Sequence, residues 1–204
     1  MGTDLWDNKG LICGFRVPAQ SGAIEIALDD LDPLTPPDVP LWLHFNLNDA
    51  RAIHWLSGCL WLNAGSRETL MSSDLGVHFE VAEDHAVGAL ADLVADDPDR
   101  VEIVHIYFDR TCLISARHHQ AMSLGALRRD LSGGMALDGS TAALFDRIVE
   151  DLLATLRKAV RDYATGVDDA EDRVFAGGSY EEMLGQHRRA MARLRRQVSA
   201  TATP

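Results

Sequence analysis

The stretch "LWLHFNLNDARAIHWL", Leu41 to Leu56, changes its period in the middle, and that change decides the fold class. Leu41, Leu43 and Phe45 alternate with Trp42, His44 and Asn46, the two-residue repeat of a strand. From Asp49 onward Ala50, Ile53, Leu56 and Leu60 recur at spacings of three and four, the stripe of a helix lying on a sheet. Between the two patterns, Asn48 and Asp49 carry side chains suited to an N-cap. A strand that runs directly into a sheet-covering helix is the unit of a layered α/β domain.

Working outward, "LICGFRV" (11–17) and "AIEIAL" (23–28) read as strands around the Pro18–Gly22 turn, and "DDLDPLTPPDVP" (29–40) reads as loop. On the other side a short helix is expected over 66–74, capped by Ser66, and then a strand over 77–82. The segment 85–94 is Ala-rich, but alternation of Val87, Ala89, Ala91 and Leu93 beside the Glu83-Asp84 turn makes it a hairpin partner rather than a helix. After the acidic loop "ADDPD", the runs "VEIVHIYF" (101–108) and "TCLISA" (111–116) form a second hairpin about Asp109-Arg110. Ser123 is expected to cap a helix through Leu124, Leu127 and Leu131 that ends at Gly133-Gly134. The expected first domain, residues 1–135, is α/β, with a largely antiparallel sheet of about seven strands flanked by helices.

The remainder has a different character. Val149, Leu153, Leu156, Val160, Tyr163, Val167, Ala170 and Val174 follow alternating steps of four and three, the seam of a helical hairpin or coiled coil. A long projecting helix or helix pair is therefore expected over 136–178. At Gly177-Gly178 it stops, and Ser179 with Glu182 makes a capping box for a new helix over 179–204. That helix repeats the steps through Leu184, Met191, Leu194 and Val198, so both helices want packing partners, from their own domain or from further copies of the chain.

Charge narrows the function. The net charge of −12 argues against a general nucleic-acid binder. Residues 1–109 carry 19 acids and 5 bases, whereas 110–204 carry 12 acids and 14 bases. Cys13, Cys59 and Cys112 lie far apart without a C-x-x-C pair, which indicates neither a disulfide framework nor a zinc knuckle. The N-terminus lacks the pattern of a signal peptide, and no apolar run is long enough to span a bilayer.

Catalytic motifs are absent: there is no G-x-S-x-G, Walker A, G-x-G-x-x-G or H-E-x-x-H, so the chain is read as not an enzyme. Ser115, His118 and Asp109 form a triad by composition only. The eight histidines lack ligand spacing; His118 and His119 are adjacent and would point to opposite faces of a strand. Asp168, Asp169, Glu171 and Asp172 supply hard oxygen ligands along one helix, fit for collecting cations at low affinity rather than for a tight site. The arginines at 188–196 fit the outer face of a stalk, where they can pair with those acids.

The order of "LWLHFNLNDARAIHWL", "HIYFDRTCLISARHHQAMSLGALRRDLSGG" (105–134), "VDDAEDRVF" (167–175) and the "RRAMARLRR" helix (188–196) resembles the N-terminal cytoplasmic portion of CorA-type divalent-metal transporters. It is most similar to their ZntB branch, with W-L-H-x-[ND] before the first helix and L-I-S-x-R at the end of a late strand. The resemblance implies a mixed sheet, a projecting antiparallel helical hairpin and a stalk helix that continues into membrane helices missing from this chain. It also implies a pentamer of copies of the chain in the inner (plasma) membrane, with this part cytoplasmic and forming an acidic vestibule that contributes to gating. Zinc or magnesium would be the transported ion, no cofactor would be required, and contact with the membrane would come only through the missing helices. The rival reading is a free-standing helical-hairpin adaptor that binds partner helices through its seams.

Overall fold

In the computed structural model, residues 10–19, 21–73 and 76–175 are described, together with positions 185, 189, 191 and 192. Seven strands form one sheet: β1 (Leu11–Arg16), β2 (Ile24–Glu25), β3 (Leu41–Asn46), β4 (His78–Val81), β5 (His85–Val94), β6 (Asp97–Asp109) and β7 (Cys112–Arg117). Their order is β2-β1-β3-β7-β6-β5-β4, antiparallel except where β3 runs parallel to β7. The helices are α1 (Ala50–Gly58), α2 (Ala64–Leu70), α3 (Met122–Ser132) and α4 (Thr141–Phe175).

The alternation in β3 sorts its side chains onto the two faces of the sheet, and each face has its own core. Leu41, Leu43 and Phe45 pack with Ile114 and Ala116 of β7 beneath α1 and α2, whose Ala52, Leu56 and Leu70 are buried there. Trp42 faces the other way, into a core with Phe15, Ile106 and Leu113 that α3 covers with Leu124 and Leu127 and α4 with Leu144 and Ile148. The Ala-rich β5 is a strand because it lies between β4 and β6, buried along nearly its whole length, and small side chains let both layers close over it. At Gly88 a Cβ would stand 2.2 Å from the His78 carbonyl oxygen, so only glycine lets β4 cross here. Phe79 of β4 then joins Phe108 and Phe145, whose rings stack at 4.5 Å.

Several local expectations are corrected. Helix α1 is capped by Asp49, whose side chain accepts from the Arg51 amide, but it buries Ala52 and Leu56, while Ala50 and Leu60 are exposed. Ser66 does not cap α2: the cap is Asn63, whose Oδ1 accepts from the Ser66 amide at 2.7 Å. The acidic segment 95–99 is loop only at its start, since Asp97 already pairs with Val94 in the sheet.

Ser123 likewise lies inside α3 and not at its cap, which is Ala121. With no capping side chain in sequence, the helix takes one from β5. Asp92 is buried and its Oδ2 accepts from the Ser123 amide at 3.0 Å and from the Ser123 hydroxyl at 2.5 Å. Burial pushes the Asp92 carboxyl up from its ordinary value of 3.8 against those donors, with the neighbouring Glu102 adding to the rise. A carboxylate at a helix N-terminus answers both the unpaired amides and the helix dipole.

Candidate functional site

Helix α4 is the element on which the expected seam and the expected cation-collecting acids lie. Ser140 starts it by accepting from the Ala143 amide. At about 1.5 Å per residue its 35 residues extend roughly 50 Å, more than the sheet layer can cover. Burial follows from that length. Leu144, Ile148 and Leu152 are buried against the sheet and α3, and farther along Ala159 packs with Leu93 of β5, joined by the half-buried Leu156 and Tyr163. Beyond Tyr163 no described position of the helix is buried.

The seam residues are divided by this packing. Leu156, Tyr163, Val149 and Val167 are half-buried, whereas Leu153 and Val160 are each 42% exposed. Leu184, Leu194 and Val198 lie outside the described residues, as does most of the expected helix over 179–204, and Met191 is half-buried. The buried stripe, Leu144, Ile148, Leu152 and Ala159, is offset by one position from the outward Leu153 and Val160.

Asp168, Asp169 and Asp172 are exposed on the outer part of α4, and Glu171 lies on the same turn of helix. Between Thr165 and Phe175 the sequence holds these four acids and one base, Arg173. Nearer the sheet the acids are paired instead: Arg147 bridges Asp130 and Asp151, and Lys158 pairs with Asp162. Among the described residues no three His, Cys, Asp or Glu side chains converge to hold a metal ion. Exposed Asp168, Asp169 and Asp172 give this part of the helix negative charge open to solvent.

The nominal triad is dispersed. Asp109 sits in the β6–β7 turn, accepting from Tyr107, Thr111 and Cys112. His118 bonds Asn48, and His119 reaches Glu102 at 2.9 Å. Ser115 is buried beside a histidine that the composition did not suggest: its hydroxyl is 2.9 Å from His44 Nδ1 and accepts from the Trp42 indole. His44 Nε2 accepts from Arg117 Nε at 3.0 Å, so the imidazole is neutral and carries its proton on Nδ1. Complete burial and then the Arg117 charge hold its pKa well below the ordinary value. That centre cannot take a proton from Ser115, and it is a structural network. The three cysteines are buried thiols, Cys13 and Cys59 each pushed up to about 12 by burial.

Comparison with known proteins agrees with the fold. Among solved structures, the chain is similar to the full-length CmaX protein (TM-score 0.85, 19% identity), covering 96% of this chain and 62% of that one. It is also similar to the ZntB cytoplasmic domain from Vibrio parahaemolyticus RIMD 2210633 (TM-score 0.75, 15% identity), with 93% and 75% covered. A third is the CorA magnesium transporter from Methanocaldococcus jannaschii (TM-score 0.71, 13% identity), with 92% and 59% covered. The chain thus spans about three fifths of the two full-length proteins. No curated protein matches it. Among the described residues no helix is long and apolar enough to cross a membrane. The family described as CorA-like Mg2+ transporter protein matches residues 38–203, most of the sequence, and the chain belongs to the CorA family.

Proposed function

We propose that this chain is the cytoplasmic domain of a divalent-cation transporter of the inner (plasma) membrane, of the ZntB-like kind, carrying zinc or magnesium. The observation that carries the reading is α4: a helix anchored on a CorA-type domain at one end and carrying Asp168, Asp169, Glu171 and Asp172 toward the other, past the Arg147–Asp151 and Lys158–Asp162 pairs. Repeated in a pentamer of copies around an axis, that band would form an acidic vestibule. Fixed negative charge raises the local concentration of cations by field focusing without binding them tightly. Individual ions should therefore bind the domain with dissociation constants of roughly 10⁻⁴ M or weaker.

The test is divalent-cation flux into liposomes carrying the full-length gene product. Zinc or magnesium flux is expected, and neutralising the four acids together (D168N, D169N, E171Q, D172N) should slow it at low salt, with the difference shrinking as salt screens the charges. Absence of flux for both ions would sink the transport reading. The rival adaptor reading draws on the exposed Leu153 and Val160, which would then receive a partner helix. Monomeric full-length protein without flux, in which L153D abolished capture of a partner helix, would decide for the adaptor.

A further inference from the structure

We propose that a crevice at the carboxyl ends of β3 and β7 is a binding site for a small phosphate-bearing molecule, held by Arg117 and Arg128. The site is marked first by topology. β3 and β7 are adjacent and parallel, with Asn46 and Arg117 in register at their ends. From β3 the chain passes to α1 on one face of the sheet, and from β7 to α3 on the other. Where neighbouring parallel strands send their helices to opposite faces, the strand ends are left uncovered, and in open α/β sheets this switch point is where ligands bind.

Here the crevice is a cavity of about 440 Å³, within the range of small-molecule sites. Among the described residues its polar wall consists of His44, Asn46, Arg117, Gln120 and Arg128, with no carboxylate. In a chain of net charge −12, two guanidinium groups and two carboxamides around one cavity specify an anionic occupant. Planar guanidinium groups fit the oxygens of phosphate in pairs. The cavity is larger than a bare phosphate, which leaves room for an organic part against Leu11, Ile12 and Leu124.

The wall is built, not incidental. His44 stays neutral and uses Nε2 to fix Arg117 Nε, while Nδ1 is tied to Ser115, so the guanidinium is oriented by a side chain that is itself 2% exposed. On the other side, the loop that carries Gln120 is pinned by Glu102, which accepts from the His118 and His119 amides at 2.7 and 2.8 Å. The amino end of α3 is already answered by Asp92, so the positive character of the crevice comes from the arginines. Arg128 enters no ion pair among the described residues, and its removal leaves the surrounding bonds in place.

Thermal denaturation and calorimetry of the 204-residue chain with inorganic pyrophosphate test the proposal, against potassium chloride at matched ionic strength and against citrate. Pyrophosphate should raise the melting temperature saturably, and R128Q should weaken its binding about tenfold or more, the loss expected for one charged contact. R128Q should melt near the parent in the absence of anion, and R157Q, on exposed α4, should bind pyrophosphate as the parent does. A shift reproduced by chloride, a response to citrate but not pyrophosphate, or binding that survives R128Q would overturn the assignment.

Discussion

The two faces of α4 are built from similar residues and have opposite standing. Ile148 and Leu152 are buried, while Leu153, one residue on, is 42% exposed. In sequence the seam through Leu153 and Val160 alternates steps of four and three while the buried residues step by four, four and seven, and a helix with a broad apolar arc can be divided into more than one such seam. What separates them is the sheet: Leu144 and Ile148 of the inner stripe join a core with Trp42 and Leu113, whereas Leu153 and Val160 of the outer stripe are each 42% exposed. Hydrophobicity alone thus tells which helix is packed, and the fold tells which side.

The largest expected effect tests that difference directly. I148A should cost about 3 kcal/mol, from the lost transfer energy and the cavity left between α4, α3 and the sheet, whereas L153A should stay within about 0.5 kcal/mol. Urea denaturation of the two variants is the measurement, and equal losses would mean that the inner face has been misidentified. If copies of the chain pack through the outer face, L153D should instead lower self-association in sedimentation while leaving the monomer folded.

The inner face depends in turn on α3, and α3 on Asp92. D92A should cost about 2 kcal/mol, because it leaves the buried Ser123 amide and hydroxyl and the Leu93 amide without their acceptor. D92N keeps an acceptor and has a pH signature. The raised carboxyl means that the folded state holds the Asp92 proton more tightly than the unfolded chain does, so its stabilising contribution is present below about 3.8 and is lost as pH rises through the raised value. D92N should therefore gain on the parent as pH rises across that window. A difference independent of pH would show that Asp92 does not titrate differently on folding.

Asp49 at the cap of α1 should behave oppositely and more weakly. Hydrogen bonds from the Arg51 side chain and amide lower its carboxyl to about 2. Its contribution is thus present above the unfolded value of 3.8 and disappears as pH falls toward 2, so the stability gap between the parent and D49A should close over that interval. A gap that stays constant down to pH 2 would remove the Arg51 contact as the cause.

Much of this architecture was legible because strand period is a local property. All seven strands are expected, some from alternation and the others from the turns that bound them, including β5, where alternation and the nearby turn outweigh the helical propensity of alanine. For α2 the local sequence offers two cap-forming residues, and Asn63 rather than Ser66 takes the role; for α3 the partner of Ser123 is Asp92, remote in sequence and invisible to a local pattern. The crevice was illegible for the same reason. His44, Arg117 and Arg128 come from two strands and a helix, and only the parallel pairing of β3 with β7 brings them together. Two arginines following "LISA" in an acidic chain were the available signal.

The smallest expected effect concerns the outer end of α4, and its sign is what matters. Asp168 and Asp172 are four residues apart on an exposed helix face, with Asp169 and Glu171 between them and Arg173 as the nearby counter-charge. Like charges at that spacing oppose each other by a few tenths of a kcal/mol, an energy that packing does not return where the helix has left the sheet. D168N with D172N should therefore stabilise the chain slightly, by about 0.3 kcal/mol, and the gain should vanish in high salt as the repulsion is screened. The same pair should weaken whatever attraction the domain has for divalent cations. Under the proposed function, a locally unfavourable charge band on a part of α4 that the sheet does not cover would act through its field. If the double variant were instead destabilised, these carboxylates would be holding a partner in the chain, and their role would be structural.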